Sequence, residues 1–189
     1  MGNHQHFIVH KPYGYLSQFV NNQTKRKKNL LGELYDFPEG VMAIGRLDVT
    51  SEGLLFLTTD GKVSEYIRSR KVEKEYYVQV DGIITPQKIE QLKNGVEISV
   101  EGKRYKTKPC KTAIISTPNF PNRTQKIRDE RHGPTTWISI IISEGKFRQV
   151  RKMTAAVNLP TLRLIRVRIG SILIEGVSLG EVKKVDNLL

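Results

Sequence analysis

The chain is poor in cysteine. Among 189 residues there is one, Cys110, so no disulfide can close within it, and nothing in its thiol content points to an oxidising compartment. Cys110 follows Pro109 in a basic stretch with no partner pattern for metal or redox chemistry. Long apolar runs are missing too: no segment reaches the roughly 18 residues that a membrane helix needs. The N-terminus, Met1-Gly2-Asn3-His4-Gln5-His6, has no apolar signal core, and His6 stands where a myristoylation pattern needs Ser or Thr. A cytoplasmic protein that meets no membrane is expected. There is no Walker loop, no paired CxxC and no dinucleotide fingerprint, so no cofactor is expected. His4, His6 and His10 lie close in sequence, but no carboxylate or cysteine pattern supports them, and no metal site is expected. Acidic side chains are scarce, 19 against 31 basic ones for a formal charge of +12, and between Gly145 and Ile174 there are none. A protein this basic suits a polyanion, nucleic acid first.

The pattern of residues is that of many strands with a few short helices. His6–His10 reads as a strand, left by a turn at Lys11-Pro12-Tyr13-Gly14-Tyr15. The polar, basic run from Asn21 to Asn29 reads as a solvated loop. Leu30, Leu31, Leu34 and Tyr35 suggest a helical turn, and Ser64–Ser69 a short helix that starts near Ser64. Lys74–Val80 alternates as a strand. Thr85-Pro86 is an N-cap with proline at the first helical position, and Gly95 marks that helix's end. Strands follow over Val96–Val100, Arg104–Cys110 and Thr112–Ser116, then an exposed Pro- and Asn-rich excursion from Thr117 to Pro134, then a strand from Thr136 to Ser143. Val150, Met153, Thr154 and Val157 fall at helical spacing, and Asn158-Leu159-Pro160 stops the run. Thr161–Ile169 and Ile172–Ile174 return to strand. The fold class is therefore α+β, with a mixed, mostly antiparallel sheet and few short helices.

One segment carries a chemical suggestion. Gly45-Arg46-Leu47-Asp48-Val49-Thr50-Ser51-Glu52-Gly53 sets a carboxylate, Asp48, in a small-residue loop that runs into the apolar strand Leu54–Leu57. An acid on a short loop between buried elements is a candidate catalytic group. Asp60, before Gly61, reads as turn chemistry instead.

The run from Gly45 to Gly61 resembles motif I of the pseudouridine synthases, in the form used by their RsuA branch. Lys74-x-Tyr76-x-Val78-x-Val80-x-Gly82 resembles motif II, and Glu144-Gly145-Lys146-Phe147-Arg148-Gln149-Val150-Arg151-Lys152-Met153 resembles motif III. Leu162-Arg163-Leu164-Ile165-Arg166-Val167-Arg168-Ile169-Gly170 is similar to the branch's basic strand after that motif. The resemblance spans about residues 6 to 175, in family order. It implies the pseudouridine synthase fold with a central RNA-binding cleft, a single catalytic domain over 1–189 made of two lobes, and no preceding S4 domain. With Lys11-Pro12-Tyr13-x-Tyr15-Leu16-x-Gln18-Phe19, that arrangement looks most like the E-type enzymes of the branch, which modify 23S ribosomal RNA.

The resemblance implies the isomerisation of an RNA uridine to pseudouridine: the N1–C1′ bond breaks, the uracil turns, and a C5–C1′ bond forms. Catalytic roles fall to Asp48, Tyr76 and Arg151. Positive character at C1′ calls for a carboxylate, as in glycoside hydrolysis, and that is Asp48. Arg151 would keep it charged, and Tyr76 would lie against the flipped base. Whether Asp48 attacks C1′ or assists a glycal route stays open, as does the group that moves the C5 proton. RNA contacts are expected from Arg46, Lys11, Lys74, Lys146, Arg148, Lys152, Arg163, Arg166 and Arg168, with further clamps at Lys25-Arg26-Lys27-Lys28 and from Arg123 to Arg131. On a strand, Arg166 and Arg168 would share one face, which suits phosphate tracking; the plainer reading is a solvated sheet face. The expected partner is 23S rRNA or a large-subunit precursor particle, met by a monomer. Alternatives are the same chemistry on tRNA, or a non-catalytic RNA-binding or ribosome assembly module.

Overall fold

Apolar runs in this chain become strands that are buried on both faces. In the computed structural model, which describes residues 4–20, 28–69, 72–128 and 130–188, Leu54, Leu55, Phe56 and Leu57 are all fully buried. A strand without alternation needs cover on both sides, and that is how this run is placed.

The chain forms two units. The first holds residues 1–72 and 165–189. Its strands are β1 (His6–Lys11), the short β2 (Met42–Ala43) and β3 (Glu52–Thr58). β1 and β3 pair antiparallel, from His6 opposite Thr58 to Lys11 opposite Gly53. Asp60 then caps helix α1 (Gly61–Arg68), accepting from the backbone N–H groups of Lys62 at 2.8 Å and Val63 at 3.3 Å. The helix thus starts three residues before the expected Ser64, because Asp60-Gly61 makes an N-cap rather than a free turn. Phe7, Phe19, Tyr35 and Phe37 form an aromatic cluster, with Phe7 1% exposed and 5.4 Å from the Phe37 ring centroid. Leu31, in a single 3-10 turn, is fully buried.

The second unit holds residues 73–164. β4 (Lys74–Asp81) leads to helix α2 (Pro86–Asn94), with Thr85 as the N-cap. A two-stranded hairpin follows, β5 (Glu97–Val100) with β6 (Lys103–Lys106), then β7 (Lys111–Ile115) and β8 (Thr135–Ile142). β8 pairs antiparallel with β4 on one side and β7 on the other. Gly95 ends α2 at φ 85°, and a Cβ there would lie 2.2 Å from the Thr107 carbonyl oxygen, so the backbones meet where no side chain fits. Helix α3 (Gln149–Ala156) packs Val150, Met153 and Val157 into a core built from Val78, Val80, Leu92, Ile138 and Ile140. Asn158, at φ 56°, closes it.

β9 (Thr161–Ile169) runs from the second unit back into the first. There it pairs parallel with β3, Glu52 opposite Ile165 and Gly53 opposite Arg166. The short β10 (Ile172–Leu173) pairs with its end, and β11 (Val182–Val185) closes on β1. The sheet is mixed and mostly antiparallel, and the helices are short, as the α+β expectation has it. Most of the basic loop, residues 21–27, lies outside the described residues, so the expected clamp of Lys25, Arg26 and Lys27 does too.

Candidate active site

In the first unit, the Asp48 loop is held on both sides of the carboxylate. Leu47, 6% exposed, donates its backbone N–H to Ser17 Oγ at 3.0 Å, and Ser17 Oγ donates to the Leu47 carbonyl at 2.9 Å. One residue past Asp48, the Val49 carbonyl accepts from Gly14 N–H at 2.8 Å. The Asp48 carbonyl accepts from Ser51 N–H at 2.9 Å and closes the turn. The loop's backbone is therefore fixed while the Asp48 side chain stays partly exposed. Nothing in the periodicity marks Ser17 for this task, since its partner lies thirty positions away.

Charge is buried close by. Glu52 is 1% exposed and Lys11 is fully buried. Lys11 Nζ donates to the carbonyls of Pro12 at 2.9 Å and Tyr15 at 2.7 Å. Burial brings its pKa down from 10.5 to about 7, against the pull of Glu52 and Asp48 and with help from Arg166. Lys11 is thus a buried structural lysine, and its expected role as an RNA contact is corrected: an amine enclosed by its own turn has no reach to a phosphate. Arg46, two residues before Asp48, is exposed.

In the second unit, Tyr76 lies on β4 opposite Ile140 and packs, partly buried, against the core. Arg151 sits on α3 between the core anchors Val150 and Met153, which set the helix's rotation. The segment before α3 is clamped by a buried carboxylate. Glu144, 3% exposed, accepts from Tyr105 Oη at 2.5 Å, from Lys108 N–H at 2.8 Å and from Gln149 Nε2 at 2.6 Å. Burial alone raises a carboxyl pKa, yet these three donors outweigh it and hold Glu144 below its ordinary range. Gln149 Oε1 in turn accepts from Lys146 N–H at 2.9 Å. Glu144 and Gln149 were visible as residues of the third motif; that they join the motif to the β6–β7 connection was not.

The family model for RNA pseudouridylate synthase matches residues 5–156. The chain belongs to the RNA pseudouridylate synthase family. It is 38% identical over 187 residues to the ribosomal large subunit pseudouridine synthase E of Vibrio parahaemolyticus, covering 97% of this chain and 74% of that protein. It is 40% identical over 166 residues to the protein of the same name from Xanthomonas axonopodis pv. citri, covering 86% of this chain and 84% of that one. A crystal structure of a pseudouridylate synthase superposes with a TM-score of 0.76 at 26% identity, over 98% of this chain and 71% of the other. The resemblance read from the three motifs is borne out at the level of family and fold.

Within this family member, the basic strand differs from expectation. Arg163 and Arg166 are 6% and 5% exposed. Arg163 Nη2 donates to the Pro121 carbonyl at 2.8 Å, and Arg166 Nε to the Leu54 carbonyl at 2.7 Å. Arg168, less buried, donates to the Gly170 carbonyl at 2.7 Å. Both expectations for this strand are thus corrected at Arg163 and Arg166, which neither lie on a solvated face nor stand free to track phosphates: each is buried and donates to a backbone carbonyl. Arg128, in the excursion, makes a two-pronged pair with Asp81 at 2.9 and 2.7 Å, so it is occupied by the fold rather than poised as a clamp. Lys74 is half-buried at the start of β4, while Lys146 and Lys152 are half-buried and Arg148 is exposed around the start of α3. The histidines do not gather. His6 Nδ1 is 2.9 Å from Thr58 Oγ1, His10 Nδ1 is 3.0 Å from the Val177 carbonyl, and His4 faces Thr59 and Asp60. Among the described residues no helix is long and apolar enough to cross a membrane.

Proposed function

We propose that this chain isomerises a specific uridine of 23S large-subunit ribosomal RNA to pseudouridine, with Asp48 as the group that acts on the sugar. The uridine is turned out of its stack, because C1′ and both faces of the base cannot be reached otherwise. The N1–C1′ bond breaks and leaves its electron pair on uracil, and positive character grows at C1′, where the Asp48 carboxylate bonds to it or stabilises it. The uracil turns, C5 bonds to C1′, the C5 proton leaves and N1 takes up a proton, so atoms and charge balance with no redox step. Arg151 supplies a guanidinium to the reaction, Tyr76 lies against the base, and Arg46 contacts the RNA beside the reacting nucleotide. The chain works as one catalytic domain, as a monomer in the cytoplasm, on rRNA or a precursor particle.

The observation that carries this reading is the Asp48 loop. It has its backbone pinned by Ser17 and Gly14, a geometry suited to a carboxylate that must not move as the sugar does. The names of the relatives support the choice of large-subunit RNA. The test is a map of pseudouridine by chemical labelling in rRNA and tRNA from a strain lacking the gene, repeated with plasmid-borne wild type and Asp48→Asn. One large-subunit site should vanish, return with wild type and stay absent with Asp48→Asn. A lost tRNA site would move the substrate, and restoration by Asp48→Asn would remove Asp48 from the chemistry.

A further inference from the structure

Phe147 is 71% exposed, the most exposed large hydrophobic among the described residues. Its position makes this exposure unusual. Gln149 and Val150, two and three residues on, are 3% and 4% exposed, and Glu144, three residues back, is 3% exposed. The chain is therefore anchored on both sides of a phenyl ring that it holds out in water. Arg148, between the ring and α3, is left-handed at φ 53°, a conformation that a non-glycine residue adopts at a cost. The Glu144–Gln149–Lys146 hydrogen bonds hold that turn in place. A solvent-facing loop has no folding need for an aromatic ring.

The surroundings say what the ring would meet. Lys152 Nζ lies 5.4 Å from the Phe147 ring centroid and is itself tied to the Ser99 carbonyl at 2.6 Å, so it backs the ring from a fixed place. Lys146 Nζ sits over the Tyr105 ring at 4.9 Å, and Arg148 is exposed. No acidic residue occurs from Gly145 to Ile174. A flat apolar face within a set of cations suits an unpaired nucleobase whose neighbouring phosphates need neutralising. A protein partner would need more apolar area than one ring.

We infer that Phe147 is an RNA-stacking residue: an unpaired base of the substrate strand lies on its ring, with Lys146, Arg148 and Lys152 around the adjoining phosphates. The inference rests on the proposed function and adds a recognition element outside the reacting trio. Stacking of this kind tolerates any base, so Phe147 contributes a preference for single-stranded over paired RNA at that point rather than a sequence code.

The test measures fluorescence anisotropy of an end-labelled single-stranded oligouridylate of about twelve nucleotides, one site size. It uses the full chain with Asp48→Asn as parent, so that turnover does not intrude. Phe147→Ala and Phe147→Leu should bind roughly 5- to 100-fold more weakly than the parent, while Phe147→Tyr should bind like it. Emission from F147W should be quenched on adding the RNA. Circular dichroism and thermal unfolding should be unchanged in all four, since the ring is exposed. Phe147→Leu binding within about twofold of the parent, or F147W emission unmoved by RNA, overturns the inference while the proposed function stands. A change in sedimentation on Phe147→Ala, showing that the ring covers a second copy, also overturns it. A parent that binds no RNA at all overturns both.

Discussion

Ser17 and Leu47 are joined twice through one hydroxyl, which accepts from the Leu47 N–H at 3.0 Å and donates to the Leu47 carbonyl at 2.9 Å. Both residues are buried, so water cannot replace either bond. The next residue along the chain is Asp48, and its loop inherits this rigidity.

Ser17→Ala leaves a buried donor and a buried acceptor without partners. A loss of about 1–3 kcal/mol in urea unfolding is expected. Under the proposed mechanism, single-turnover pseudouridine formation should slow more than RNA affinity falls, because the loop that loosens carries the reacting group and only one of the expected RNA contacts, Arg46. Unchanged turnover would show that Asp48 does not depend on this anchor.

Gly53 lets β3 and β9 approach. At φ 111°, a Cβ on it would lie 2.3 Å from the Arg166 carbonyl oxygen, a backbone atom that cannot step aside. Gly53→Ala is expected to cost about 3 kcal/mol or more, or to leave the protein insoluble. Thermal unfolding checks it, and a melting temperature equal to wild type would mean that the two strands can part cheaply.

Lys11 gives the stability a pH dependence whose sign is fixed. Its pKa is about 7 when folded and near 10.5 when unfolded. Below pH about 7 both states hold the proton, and folding bears the full cost of burying the charge. As pH rises from about 7 to 10.5, the unfolded chain holds more protons than the folded one, so stability increases with pH. The slope is set by about 1.4 kcal/mol per unit of displacement. Measured against Lys11→Met, which removes the titrating group, wild type should gain across that window. Parallel curves for the two proteins would contradict a neutralised buried lysine.

Glu144 changes stability in the same direction with pH, but in the acid range. Its folded pKa is lowered, so its contribution is present above the unfolded carboxyl value and is lost as pH falls through the folded one. Glu144→Gln should destabilise the protein at pH 7 by about 1–3 kcal/mol, since an amide cannot accept from all three donors as a carboxylate does. The gap to wild type should narrow as pH falls below the ordinary glutamate range. A gap independent of pH would place the cost in packing rather than charge.

Much of the fold was legible from local pattern. The helix after Thr85-Pro86, the stop at Asn158-Leu159-Pro160 and the β9 strand followed from capping and periodicity, which act over a few residues. The start of α1 was missed because Asp60-Gly61 serves equally as turn and as cap, and only the hydrogen bonds to Lys62 and Val63 decide between them. Of the residues proposed for the chemistry, Asp48, Tyr76 and Arg151 stood out through their motifs. Ser17 did not, and the third motif gave no sign of how Glu144 is bonded, because each of these two matters through where it is placed and not through its type.

By itself the order of residues determined which segments could be strand or helix, which acid sits on a loop between buried elements, and which family the chain joins. Only the tertiary structure decided the fate of the charges. Lys11, Arg163 and Arg166 look in sequence like the rest of a basic surface, yet each ends in the interior and donates to a backbone carbonyl. Burial depends on which strand lies alongside. The parallel pairing of β3 with β9 joins residues more than a hundred positions apart, a contact no local pattern encodes.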